Sequence, residues 1–461
     1  MSTDTKVNKL RNEEFKIWKK SVPSLYHHIT VKKPIFLCPH ISTPSVSNIS
    51  NFKKTICFSD KIIPDKSKGI LATSVLYSQG NEIYEVDFEL PLGSFNKDSD
   101  QLIDPEYGAD DKVINTPVQA KWSYQGETVS KLEYLNSEGA TAIVMASTGS
   151  LAWFKDDIKV PVHTMQELMG PGTSFSPFPS SKGSLDNLND FSVSFDDATI
   201  IKTQSTVSNG SILKLLDNGS KPGTVLRSIN VSKDCITHTI KFLDNNMFVT
   251  CSNDNIIRFW DTRSEDKPAF FLRDSNDGLL TCLDTTPLVD SLFLTGSDTG
   301  VIKLWDVRSV LAEDTDLSYR QHGEEPIHQE LFSFSHLDGD GVVDVKFSNT
   351  TPDEFLTVGE TGNIYTWDIT PVLESSEAQE DPDVMDVDRV KTDCLKFFHS
   401  GGNRNRRINN SNDTSGQQKR NTVAWHPVID EFIASVEDDS LITVYKPFLG
   451  RDDENLKKVE I

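Results

Sequence analysis

Three stretches of this 461-residue chain repeat one pattern: SNDNIIRFWDTR at 252–263, GSDTGVIKLWDVR at 296–308 and GETGNIYTWDIT at 359–370. Each opens on a polar turn, continues with alternating apolar residues and ends on Trp-Asp. Alternation with period two puts successive side chains on opposite faces of an extended strand, so each copy reads as a strand with one buried face. A further strand-like run and turn precede each copy, as in ITHTIKFLDNNMFVTCS at 236–252. Each repeat therefore supplies at least three short antiparallel strands. A unit of that size cannot bury its apolar face alone and has to stack on its neighbours.

Weaker copies keep the frame without the Trp-Asp pair: QGNEIYEVDFELP around Val86, TGSLAWFKD ending near Phe154, NGSILKLLDN near Leu216 and EDDSLITVYKP near Tyr445. With Trp260, Trp305 and Trp367 these make seven units, at intervals of 68, 62, 44, 45, 62 and 78 residues. The two shortest intervals match the bare WD-repeat period of about 40–45 residues, and the longer ones require insertions. The pattern predicts an all-β chain folded as a closed seven-bladed WD-repeat β-propeller, which leaves only short, protected sheet edges. In such blades an indole and a turn carboxylate usually hold the strands together. That expectation pairs Asp254 with Trp260 and Asp298 with Trp305, and places His336 in a similar network beside Trp367, all as structural groups. The last blade is expected to be completed by a strand around Ile35–Cys38.

Composition narrows the function. Sixty-nine acidic against 46 basic side chains leave a net charge of −23, which disfavours generic binding to a phosphate backbone. Residues 1–33 run against that balance at +5, so the remainder holds −28. The polar first residues read as no secretory signal, and the apolar run Thr141–Ala146 is far short of membrane-spanning length. Six cysteines without CxxC spacing read as free thiols of an intracellular protein. No HExxH, HxH, GxxxxGK[ST], GxGxxG or GxSxG motif occurs, so neither a metal, a cofactor nor catalytic residues are expected.

Two segments stand outside the repeat. In 11–29, Phe15, Trp18, Val22, Leu25 and Ile29 recur at 3-4-3-4 spacing, predicting an amphipathic helix docked on the last blade. Between Trp367 and Tyr445, residues 374–388 hold seven carboxylates and no base. CLKFFHSGG follows at 394–402, with Leu395, Phe397 and Phe398 as candidate anchors, and then the Asn-rich basic insert 403–420. Acids beside a short aromatic motif suit a basic amphipathic helix, although an acidic run is as often a solvated loop. The resulting organisation is an arm and helix at 1–33, a propeller at 34–448 with both inserts, and a tail at 449–461. A further acidic stretch at 98–111 stays unassigned.

EEFKIWKKSVPSLYHHI (13–29) resembles the N-terminal helix of the histone-binding WD-repeat family, the retinoblastoma-associated and MSI-type chaperone subunits. ILATSVLYSQGNEIYEVDFELP (70–91) is similar to that family's first blade, QGETVSKLEY (125–134) to its second and SVEDDSLITVYKP (435–447) to its last. Asn12, Glu13 and Glu14, with the divergent middle blades, are most similar to the fungal Ume-type branch, modulators of the class I histone deacetylase and Sin-type corepressor assembly. The resemblance implies a groove between the N-terminal helix and the acidic loop that accepts a basic helix of a core histone or scaffold subunit. Phe15, Trp18, Leu25 and Tyr26 would line one side, with Asn12, Glu13 and Glu14 as further partner-binding candidates. Leu395, Phe397 and Phe398 would line the other, with Asp381, Asp383, Asp386 and Asp388 supplying charge. The chain departs from the family in reading TDCLKFF (392–398) in place of a Pro-Pro-Glu-Leu-Leu-Phe-type run. It also departs at the channel positions used for extended tails, keeping Glu127 but carrying Ser130, Thr281 and Val343, so tail reading through the channel is not expected.

The expected function is a non-catalytic nuclear scaffold that contacts a histone deacetylase catalytic subunit, a Sin-type scaffold and core histone, with no sequence-specific nucleic acid and no membrane. The alternative is a histone-chaperone subunit of an acetyltransferase or chromatin-assembly complex. A propeller hydrolase or a ubiquitin-ligase substrate receptor are rivals of other classes.

Overall fold

The computed structural model describes residues 25–36, 54–65, 69–91, 114–135, 139–167, 189–206, 210–232, 235–264, 266–274, 278–315, 330–377, 387–400, 420–437 and 441–447, with positions 67, 137 and 328. Seven sheets follow one another, antiparallel throughout except for one parallel edge pairing in the last. Blade 1 comprises Ile56–Asp65, Ile70–Gln79, Glu82–Pro91 and Ala120–Ser123; blade 4 comprises Thr237–Phe242, Met247–Ser252, Ile256–Asp261 and Phe270–Arg273. Blade 6 comprises Val342–Phe347, Glu354–Gly359, Ile364–Asp368 and Leu395–His399. The seven residues that mark the repeats, Val86 to Tyr445, each lie on the third strand of a different sheet.

The ring is closed by packing. Seven buried apolar clusters lie between consecutive blades. One of them joins blade 7 back to blade 1 through Ile56, Val75, Phe88, Phe432, Ala434 and Val444. Each blade thus buries both faces without a continuous core, as stacked repeats require.

Blade 7 is completed by the N-terminal strand Tyr26–Phe36, and here the structure corrects the sequence reading twice. The strand pairs antiparallel with Ile442–Pro447, from Tyr26↔Pro447 to Lys32↔Ile442. The closing contact thus lies earlier in the chain than Ile35–Cys38. Ile35 and Phe36 instead pair in parallel with Pro117 and Val118 of Ile114–Val118, a fifth strand on the blade's edge. The last part of the predicted helical stripe is strand instead. Tyr26, His28 and Thr30 are buried while His27, Ile29 and Val31 are only half-buried, which is the two-residue period of a strand. Ile29, Thr30 and Val31 are β-branched, and the Ile442–Pro447 edge needs backbone partners that a helix cannot offer. The remainder of the predicted helix lies outside the described residues.

Each Trp-Asp pair has a local job. The indole N–H of Trp260, Trp305 and Trp367 donates to the hydroxyl of Thr250, Thr295 and Thr357, at 3.0, 2.9 and 2.9 Å, always ten residues earlier on the neighbouring strand. The following carboxylate, Asp261, Asp306 or Asp368, accepts the backbone N–H two residues on, at 2.8 Å in all three. The indole's acceptor is therefore a threonine and not the turn carboxylate. Asp254 instead accepts from the Ile256 N–H and pairs with Arg258, and Asp298 accepts the Leu279 N–H. His336 does join the third network: its Nε2 lies 2.6 Å from the Thr357 hydroxyl and its Nδ1 2.8 Å from the Asp340 carbonyl.

Candidate functional site: the junction of blades 6 and 7

The strand Leu395–His399 forms the outer edge of blade 6 and packs against the N-terminal strand of blade 7. Its exposure alternates, with Phe397 and His399 inward and Lys396 and Phe398 outward. Phe397 is 7% exposed and meets Tyr26 edge-on at a centroid distance of 5.1 Å. Tyr26 is itself 3% exposed, with its ring 5.8 Å from Tyr445 and its hydroxyl 2.7 Å from His399 Nδ1. These two residues were expected to line a groove, and they do not. They are the cement between two blades, because a strand cannot turn Phe397 and Phe398 to the same side.

What faces outward is Phe398, 39% exposed and edge-on to Tyr365 at 5.1 Å, together with Leu25, also 39% exposed. Leu395 is partly buried against the core shared by blades 5 and 6. The acidic run is not simply a loop. Helices Thr370–Glu377 and Val387–Cys394 take up its two ends and pack on each other. Val372, Leu373, Val390 and Cys394 fasten them to the core shared by blades 5 and 6. Asp388 lies in the second helix, while Asp381, Asp383 and Asp386 lie outside the described residues, as do Asn12, Glu13, Glu14, Phe15 and Trp18.

The axial channel is built from the first strand of every blade. Its hydroxyls are spent internally: Ser130 donates to the Met145 carbonyl, and Thr281 to the carbonyls of Gly296 and Val342. Glu127 accepts from Thr148 at 2.8 Å. Sequence reasoning missed Arg420, the last residue of the basic insert. Its guanidinium reaches from blade 7 across to blade 4, donating to the His238 carbonyl at 2.9 Å and lying 3.2 Å from His238 Nδ1. Burial first, and the Arg420 charge second, hold His238 well below its ordinary pKa, so the ring is neutral. At the far ends of the first strands a cavity of about 450 Å³ is lined by Lys131, Glu133, Lys241, Asp284 and Lys346, among others. Lys131 pairs there with Asp190 and Glu133, and Lys241 with Asp284. Among the described residues no group of three or more His, Cys, Asp or Glu is placed to hold a metal ion.

Residues 223–261 match the WD domain, G-beta repeat family. Over 94% of its length the chain is 46% identical to transcriptional modulator WTM2 of Saccharomyces cerevisiae, covering 95% of that protein. It is 44% identical to transcriptional modulator WTM1 of the same yeast, over 94% of this chain and 98% of that one. With the yeast transcriptional regulatory protein UME1 the identity is 40%, over 96% and 95% of the two chains. Among solved structures, a chain of the mitotic checkpoint complex superposes with a TM-score of 0.49 at 11% identity, over 89% of this chain and 98% of that chain.

Proposed function

The chain belongs to the family of WD-repeat transcriptional modulators, and on that premise we propose that it is a nuclear, non-catalytic scaffold subunit of a histone deacetylase corepressor assembly. It acts by holding a basic amphipathic helix of a partner subunit or core histone at the junction of blades 6 and 7. The observation that carries this reading is the pair of helices that fasten both ends of a seven-carboxylate run to the core shared by blades 5 and 6, the second of them leading directly into the edge strand that carries the outward-facing Phe398. Held acids beside an exposed aromatic offer attraction and a desolvated anchor together, whereas a free acidic loop offers only the first.

In this reading Leu25, Leu395 and Phe398 contact the partner's apolar face, and Asp381, Asp383, Asp386 and Asp388 its charges. Asn12, Glu13, Glu14, Phe15 and Trp18 complete the N-terminal wall. Arg420 favours this surface over the channel, because a cation spanning the axis repels the lysines and arginines of a histone tail. Affinity purification of the tagged protein with mass spectrometry of its companions tests the assignment. A histone deacetylase catalytic subunit with a Sin-type scaffold is the expected result. Recovery of an acetyltransferase or chromatin-assembly factor in their place would support the histone-chaperone alternative.

A further inference from the structure

Glu354 opens the second strand of blade 6 and is only 9% exposed, yet its buried Oε2 has no hydrogen-bond partner among the described residues. A desolvated oxygen left without a donor is costly, and native folds rarely keep one without a use. Its surroundings make the cost larger. Asp368 stands opposite it on the neighbouring strand, Asp353 precedes it, and Asp430 and Glu431 project their charge onto it from the first turn of blade 7. Two lysines offset part of this: Lys396 lies 3.1 Å from Asp368, and Lys446 lies 3.0 Å from Glu431. Among the described residues, five carboxylates against two ammonium groups leave an excess of acid around one unsatisfied oxygen.

We propose that this acidic cluster is a second contact for the partner, taking one arginine or lysine side chain of its basic helix. The inference rests on the partner-holding reading above and adds a specific subsite to it. The residues suit an organic cation, since they form no group placed to ligate a metal ion. They also suit one that brings several N–H donors, because several carboxylates gather at this point and a guanidinium fork can satisfy two oxygens at once. Lys396 ties the cluster to the proposed groove, for it shares the strand that carries Phe398.

Burial, followed by the charges of Glu431, Asp368 and Asp430, raises Glu354 to a pKa of about 7, with Lys396 acting the other way. Asp353 is also raised, by burial and by Asp368. His27, which faces Lys446 and Glu431, is held below its ordinary value mainly by burial and so changes charge at lower pH. Glu354 therefore ionises between pH 6 and 8, and a bound cation is held more tightly once it has done so.

The test uses the full chain and a fluorescent synthetic amphipathic peptide, leucines on one face and arginines on the other, followed by anisotropy at about 0.1 M salt. The wild type should bind up to about tenfold more tightly at pH 8 than at pH 6, as the ionised fraction of a group near pH 7 rises. Glu354→Gln, nearly isosteric, should bind about tenfold more weakly at pH 8 and lose the pH step. Phe398→Ser should weaken binding at both pH values and keep the step. If Glu354→Gln, folded by its melting curve, binds like wild type with the step intact, the cluster is not a cation site, while the groove stands. If Glu354→Gln loses binding and Phe398→Ser does not, the groove reading falls and the cluster remains. Absence of peptide binding by the wild type at either pH overturns both.

Discussion

The hydroxyl of Tyr26 lies 2.7 Å from Nδ1 of His399, joining the first strand of the chain to the outer strand of blade 6 across 373 residues. The Tyr26 ring also meets Phe397 at 5.1 Å and Tyr445 at 5.8 Å, so one side chain fastens blades 6 and 7 at the point where the ring closes. Removing only the hydroxyl, as in Tyr26→Phe, should cost about 1 kcal/mol. Tyr26→Ala should cost about 3–5 kcal/mol, as for other buried large aromatics. Urea unfolding of the two variants checks both values, and equal stabilities would mean that the ring contributes nothing to closure.

Thr357 is the acceptor for the Trp367 indole at 2.9 Å and lies 2.6 Å from Nε2 of His336. Thr357→Val keeps the volume and strands two buried polar groups, so a loss of about 2 kcal/mol or more is expected. Thr295→Val orphans only the Trp305 indole among the described residues and should cost less. The comparison of their melting temperatures is the check.

Glu354 sets a pH dependence of stability whose sign follows from its raised pKa of about 7. An exposed glutamate titrates near 4.5. Between those values the unfolded chain has released a proton that the folded chain still holds, so this group's contribution falls as pH rises from about 4.5 to 7 and is level above. Glu354→Gln removes that penalty. The variant should be more stable than wild type by about 1–3 kcal/mol at pH 8 and gain nothing at pH 4. Thermal unfolding at the two pH values measures the difference.

Arg420 is 8% exposed and spends donors on the carbonyl and Nδ1 of His238. Arg420→Ala leaves that buried carbonyl without its charged donor and should destabilise by about 1–3 kcal/mol. The same change removes a cation next to His238, so the imidazole should titrate at higher pH than in wild type, readable by NMR. An unmoved His238 would mean that the guanidinium does not reach across the axis.

Much of the fold was legible because a period of two and a recurrent Trp-Asp mark the third strand of a blade directly. Even the Leu216 copy, which has no indole, falls on the third strand of its sheet, since Ile212 to Leu216 pair along their length with the strand before it. What the sequence hid were relationships without a local signature. The Tyr26–Lys32 pairing needs a partner more than 400 residues away, and the apolar spacing of Leu25 and Ile29 fits a helix equally well. The parallel strand Ile114–Val118 adds to an edge through backbone bonds that side chains do not announce. In the site, Leu395, Phe397 and Phe398 read as one cluster, but the alternation of a strand leaves only Phe398 fully outward. Glu354 gave no signal at all, because an acid at a strand start looks like any other in a chain with 69 of them. Arg420 was hidden in the same way, as the end of a basic run rather than a side chain reaching an opposite blade.

Partner holding at the blade 6–7 junction is tested most directly by co-purification from cells of the tagged wild type beside two variants of the exposed surface. One carries Leu25→Ser with Phe398→Ser, leaving the buried Phe397 and Tyr26 intact; the other carries Asn at Asp381, Asp383, Asp386 and Asp388. With all three proteins folded, the serine variant should lose its partner subunits at every salt concentration. The asparagine variant should lose them in part, with a flatter dependence on salt, because screened charges supply only part of the attraction. Recovery of the same subunits in wild-type amounts by both variants would contradict the account and leave the junction a structural seam.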